Sequence, residues 1–390
     1  MKRQLTHVHT LAAGYIGYIT QAIIVNFAPL LFITFNTAYG IPFEKITLLI
    51  TVNFATQLLV DLVSAKYADR IGYRRMIVAA HIFAGTGLAG LGLFPLFMPP
   101  YAGLMTAVVI YAVGGGLIEV MISPIVEACP TEKKTSHMSL LHSFYCWGVV
   151  FTIVASTLFF LIFGIENWKI LACVWAAVPF LNAAFFSRVP IYTLSENAKS
   201  MPVKKLLSMK MFWVLFFLMI CSGASEQAMS QWASAFAESG LRISKAAGDM
   251  AGPCAFSALM GVMRVIYSKY GERVNPRIFM GVSCFFGAAG FILAATAPNP
   301  VLSLVGCGVC GLAAGVLWPG TFSLAAGGIP RGGTAMFAIL ALAGDAGCSA
   351  GPTVVGFVTG VAGNMNAGLI TAAFFPVLMI VGLTLYRKPN

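Results

Sequence analysis

The chain has 390 residues, 59% of them hydrophobic and only 9% charged, with a formal net charge of +11 and a mean hydropathy of +0.86. A soluble domain of this size carries about a quarter charged residues to solvate its surface, so the composition argues against a soluble enzyme, a nucleic-acid binder and a secreted disulfide scaffold. An integral membrane protein remains, because a chain this apolar needs lipid to cover its exterior.

The first ten residues, MKRQLTHVHT, are basic and polar, and the apolar segment after them is too long for a signal-peptide core. It reads as a retained first span. At about 20 apolar residues per helical crossing, twelve spans can be drawn: 10–36, 45–67, 75–97, 101–128, 137–163, 169–189, 210–238, 247–269, 276–297, 300–327, 331–359 and 364–386. Period-2 alternation is absent and the apolar runs are too long for barrel strands, so the expected fold is all-α with twelve transmembrane helices. The longest polar interruption is 190–209. It divides the chain into an amino-terminal six-helix bundle (1–189), a linker (190–209) and a carboxy-terminal six-helix bundle (210–390).

Charge fixes the expected orientation. With both termini in the cytoplasm, the outer loops hold only Lys45, Lys169, Arg242 and Lys245, Arg264 falls within a span, and every other Lys and Arg lies inside. Positive charge collects on the cytoplasmic side of membrane proteins, so a multi-pass protein of the cell's inner (plasma) membrane is expected. The nine cysteines fall almost entirely in apolar stretches and read as small packing residues. Cys307 and Cys310 lack a second pair or a nearby histidine, so no metal site and no cofactor is expected. Two Gly-x-Gly-x-x-Gly sequences, at Gly85–Gly90 and Gly306–Gly311, lie inside spans and read as close helix contacts rather than dinucleotide loops.

The two halves echo each other. The second span is followed by Ala65-Lys-Tyr-Ala-Asp-Arg-Ile-Gly-Tyr-Arg-Arg75, and the eighth runs into Arg264-Val-Ile-Tyr-Ser-Lys-Tyr-Gly-Glu-Arg273. Aligning Gly72 with Gly271 places both basic loops at the same point of a six-span unit. Such a duplication suits a transporter, with a substrate site near the membrane midplane.

The first of these loops resembles the signature of the major facilitator superfamily, Gly-x-x-x-Asp-Arg-x-Gly-Arg/Lys-Arg/Lys. Asp69, Arg70, Gly72 and Arg74 match it, while Ala65 and Tyr73 depart from it. The resemblance implies the major facilitator fold, two pseudo-symmetric six-helix bundles, and a gating role for Asp69, Arg70 and Arg74. Within the superfamily, three stretches are similar to the fucose permease-like sugar porter branch: Gly114–Pro124 with Glu119, Leu141–Gly148 and Gly311–Pro319. That branch implies proton coupling by one acid in span one and one in span four. Glu119 matches the second; span one offers Asn26 and no acid, so a two-carboxylate scheme does not carry over intact.

Ionisable groups inside a bilayer cost several kcal/mol and ordinarily face a cavity or a partner. Glu119 is therefore the first candidate for proton coupling, with Ser123 and Glu127 one and two turns onward on its face. His142 and Asp61 are further coupling candidates, and Arg264 is expected to need an acidic partner, plausibly in a gate. Span seven is dense in polar groups. Glu226, Gln227, Gln231 and the flat ring of Trp232 make a mixture suited to a hydroxylated ring, and Asn26, Gln57 and Asp345 complete the candidate substrate set. Packing hydrogen bonds between helices are the plainer account of each of these side chains.

The leading expectation is a secondary active transporter working by alternating access, taking up a small sugar or similar polar solute with a coupling ion, most simply a proton, and functional as a monomer. The alternative is proton-linked efflux of drugs or metabolites. Its usual Gly-x-x-x-Gly-Pro motif is absent from span five, and a similar stretch, Gly347–Pro352, appears in span eleven. A non-transporting membrane sensor is a third option. An enzyme is not expected, since no nucleophile, base or metal set clusters in the sequence.

Overall fold

The structure is a computed structural model and describes residues 5–131, 134–192, 201–329 and 332–386. Among the described residues there is no strand. Twelve helical segments are long and apolar enough to cross a membrane: His7–Tyr39, Phe43–Ser64, Tyr73–Leu96, Pro100–Glu127, Leu140–Phe163, Ile165–Phe186, Lys210–Gly240, Lys245–Tyr270, Pro276–Thr296, Pro300–Gly328, Met336–Ala362 and Met365–Leu385. They are spans 1 to 12 below. Helices follow from the environment, because a backbone in lipid must satisfy its own hydrogen bonds. Polar caps fix several starts: Asn275, Asn299 and Asn364 accept backbone N–H bonds at the beginning of spans 9, 10 and 12, and proline follows two of them.

Two spans are broken where the sequence suggested continuous helix. Span 1 stops at Asn26, turns through a 3-10 segment at Ala28–Leu31 that contains Pro29, and resumes at Phe32. Span 7 stops at Ser230, and after Ala233–Ala235 it widens into a π-helix at Phe236–Gly240. Span 8 has a second π-helical turn at Met250–Cys254, where Pro253 has no N–H to offer the α pattern.

The chain forms two compact units, Met1–Ile41 with Val52–Glu196, and Pro42–Thr51 with Asn197–Asn390. The first turns of span 2 thus group with the second unit. There Thr51 meets Thr353 hydroxyl to hydroxyl at 2.5 Å, and Thr47 and Glu44 lie against Gly356 and Gly360 of span 11. Of the linker expected at 190–209, residues 193–200 lie outside the described set. Val203–Leu207 is a short helix whose Leu206 is buried in the second unit's core beside Phe212, Met280 and Leu340.

The same pairings recur inside each unit. Spans 3 and 4 pack together, as do 9 and 10; 3 pairs with 6 as 9 does with 12, and 1 with 5 as 7 does with 11. Glycine sets the close approaches. A Cβ on Gly87 would run into the Tyr111 backbone, and one on Gly306 into Gly290 and Ala294. The two glycine motifs therefore seat helix against helix. Cys307 and Cys310 are buried in that second seam, with Cys310 Sγ 3.6 Å from the Gly287 carbonyl. Large apolar side chains such as Leu59, Phe151, Leu181, Phe285 and Val361 stay exposed on the outer faces, as lipid contact requires.

Candidate functional site

In the first unit, polar side chains from spans 1, 2 and 4 converge. Span 4 is bare at Gly115 and Gly116, and the gap admits its neighbours. A Cβ on Gly115 would touch the Gln21 and Gln57 amides, and one on Gly116 would lie 3.1 Å from Asp61 Oδ1. Gln21 Nε2 donates to Gln57 Oε1 at 3.0 Å and reaches Glu119 Oε2 at 3.4 Å. Gln57 Nε2 in turn donates to Asn53 Oδ1 at 3.0 Å. Gln21, Asn53, Gln57 and Asp61 are buried, whereas Glu119, Ser123 and Glu127 form a half-buried strip at four-residue steps along span 4. A half-buried carboxylate held by an amide donor can exchange a proton and respond to its neighbours.

Toward the loop between spans 4 and 5 the seam continues. Tyr18 OH pairs with Ser123 Oγ at 3.0 Å and its ring meets His142 edge-on. Tyr15 OH pairs with His137 Nδ1 at 2.7 Å and stacks on Phe144. His142 is exposed at the rim.

The second unit is organised around an ion pair. Arg264 Nη2 donates to Glu226 Oε2 at 3.0 Å, with the two side chains 21% and 7% exposed. Gln231 Nε2 donates to Gln227 Oε1 at 3.1 Å, and Gln227 Nε2 lies 3.5 Å from Glu226 Oε1, so the three residues form one polar chain along span 7. Asp345 is buried in span 11. At the far end of span 7, Ser234 and Lys245 both hold Asp249, and Lys245 lies 3.7 Å from Glu238. Sequence reading passed over this group because its members are split between two helices and a turn.

The other candidates take these positions. The Trp232 ring is 0% exposed and its indole N–H donates to the Pro352 carbonyl at 2.9 Å, where it packs span 7 on span 11. Arg264 has the acidic partner expected of it, Glu226, within one unit. Arg74 donates to the carbonyls of Phe186, Ser187 and Val189 at 2.8–2.9 Å, closing the C-terminus of span 6. A guanidinium there satisfies carbonyls that the helix leaves unpaired, which is a clamp inside the first unit. Asn26 Nδ2 donates to the Ala22 carbonyl of its own helix, and Gln21 joins the polar centre from span 1. Asp69 and Arg70 lie in the helix that continues span 2 to Ile71, among residues 65–70, whose side chains are outside the described set.

In the first unit, sequence reasoning missed Gln21 and Asn53 of the polar centre and Tyr15, Tyr18 and His137 of the adjoining seam. A signal existed for Gln21: it stands three and six residues after Tyr18 and Tyr15, a polar row on an otherwise apolar helix.

The chain belongs to the Major Facilitator Superfamily, whose family model matches residues 12–352. No curated protein matches significantly. Among solved structures, a bacterial homolog of the human lysosomal transporter Spinster, crystallised in an inward-facing and occupied conformation, is similar at TM-score 0.77 and 13% identity, over 97% of this chain and 96% of that one. The Escherichia coli fucose:proton symporter FucP is similar at TM-score 0.66 and 14% identity, over 98% and 100% of the two chains. FucP in an outward conformation gives TM-score 0.67 at 14% identity, over 97% and 99%. At these identities the likeness is one of fold, and the fold and family are those of membrane transporters.

Proposed function

We propose that this transporter couples the uptake of a small polar solute, a sugar in the simplest case, to the movement of protons down their gradient. Glu119 carries the proton, Gln21 and Gln57 hold it in place, and the Glu226–Gln227–Gln231 chain with Arg264 offers donors and acceptors to the solute in the second unit. The reading places the protein in the inner (plasma) membrane with both termini cytoplasmic, working as a monomer that exposes its polar groups to one side and then the other. The observation that carries it is the half-buried carboxylate of Glu119, bonded to an amide and set in a strip of titratable and hydroxyl groups. The fold likeness to a fucose:proton symporter supports the same choice. The Gly347–Pro352 stretch gives the efflux reading little support. Its glycines lie against Ile220 and Ala224 and so bring span 11 onto span 7.

The test is flux in proteoliposomes. Wild-type protein should accumulate a labelled small sugar such as fucose under an imposed pH gradient. Glu119→Gln should abolish that accumulation and keep counterflow exchange, because a neutral amide retains the hydrogen bonds and cannot release a proton. Gradient-driven accumulation by Glu119→Gln at the wild-type level removes Glu119 from coupling.

A further inference from the structure

We propose that Glu119 exchanges its proton with one side of the membrane through a built route of hydroxyls and imidazoles: Ser123, Tyr18 and His142, with Tyr15 and His137 as a second outlet one turn further on. The proposal rests on the reading of Glu119 as the proton carrier and names the path by which it is loaded and unloaded.

Three observations carry it. First, the groups are in sequence along one seam. Ser123 is one turn from Glu119 on the same helix face. Its Oγ is 3.0 Å from Tyr18 OH, the Tyr18 ring touches His142 at 5.5 Å between centroids, and Tyr15 OH is 2.7 Å from His137 Nδ1. Second, the seam ends on an exposed group: Glu119 and Ser123 are half-buried, Tyr18 is buried between the helices, Tyr15 and His137 are half-buried, and His142 is exposed. A route that delivers a proton to water must finish on such a group. Third, hydroxyls and imidazoles both donate and accept, whereas the network that reaches Glu119 through Gln21, with Gln57 and then Asn53 behind it, is made of amides, which hold a proton's partners without relaying it.

Transfer is balanced at each rung. The Glu119 proton passes to Ser123 Oγ while the Ser123 hydroxyl proton passes to Tyr18 oxygen, and the Tyr18 proton passes to the His142 imidazole that its ring meets. Each hydroxyl ends with one proton, the carboxyl becomes a carboxylate, and the imidazolium releases the proton to solvent.

Other ionisable groups border the seam. Asp61 of span 2 lies beside Gly116, Glu127 stands two turns beyond Glu119, and Cys129 neighbours Tyr15. His81 approaches span 1 at Gly17 but is held by the Ile77 carbonyl and Asn182, away from the route.

The experiment is time-resolved infrared spectroscopy of the purified full-length protein after a pH jump. The readout is the appearance rate of the protonated-carboxyl band that Glu119→Gln removes; the proton itself is the probe and no substrate is needed. Tyr18→Phe and Ser123→Ala should slow that band by about tenfold or more, the low end of what a positioned proton-transfer group contributes. Ser123→Thr, which keeps a hydroxyl, should restore the rate. Tyr18→Phe preserves the ring against His142, so a packing role alone leaves the rate unmoved. Rates within about threefold of wild type in both variants, too small a change for a relay group, overturn the route and leave the coupling role of Glu119 standing. If Glu119→Gln removes no band, Glu119 does not titrate, and the coupling reading falls together with the route.

Discussion

Replacing Arg264 by glutamine should destabilise the second unit through Glu226. The two groups are 3.0 Å apart and largely withdrawn from solvent. At an effective dielectric of 20, unit charges at that distance attract by about 5 kcal/mol. Much of this repays the desolvation of both ions, so the pair adds little compared with neutral residues of the same shape. Breaking it from one side is different, because Glu226 then stays buried with only the Gln227 amide, at 3.5 Å, for support. Loss of one partner of a buried pair costs about 3–5 kcal/mol. The partial exposure of Arg264 places the value at the lower end, about 3 kcal/mol. Reversible unfolding in bicelles, followed by steric trapping, measures it. The diagnostic variant is the double change, Glu226→Gln with Arg264→Gln, which removes both charges and should recover to within about 1 kcal/mol of wild type, a coupling of the size seen between contacting residues. A single Arg264→Gln variant as stable as wild type, or a double variant no better than the sum of the singles, refutes a compensated buried pair.

Two further outcomes follow from the packing. Arg74→Ala frees three carbonyls at the end of span 6 and should lower first-unit stability by about 1–2 kcal/mol, the range for charge-assisted bonds reduced by solvent at an exposed residue; Arg74→Lys should recover only part, since one ammonium cannot match the fork's geometry. Thermal unfolding in detergent distinguishes the two, and an Arg74→Ala protein as stable as wild type dismisses the clamp. Gly351→Val places a branched side chain where a single Cβ already meets the Ala224 carbonyl. Spans 7 and 11 must then separate, at a cost of about 1–3 kcal/mol or more, whereas Gly281→Val, with open space around it, should be tolerated. Equal expression and stability of the two variants would contradict the seam.

Membership of the fold was legible because its signals are local. Runs of about 20 apolar residues, the basic loop around Asp69–Arg74 and the interruption after residue 189 are all read within a short window of sequence. Part of the site was legible for the same reason: Glu119, Glu226, Arg264 and Gln57 are conspicuous wherever lipid makes polar groups expensive. Trp232 is ambiguous in the sequence for a physical reason. An indole beside glutamines fits a ligand platform and a helix seam equally well, and the choice depends on whether Pro352 of span 11 offers its carbonyl.

By itself the sequence determined that the protein lives in a membrane, crosses it as helices and repeats one six-span plan, because hydrophobic length and charge placement act along the chain. Only the tertiary structure decided which polar groups meet. Gln21 reaches Glu119, Arg264 neutralises Glu226, and Arg74 closes the end of span 6. Each of those choices turns on the rotation of a helix about its axis and on the identity of its neighbour, set by glycine contacts between residues far apart in the chain.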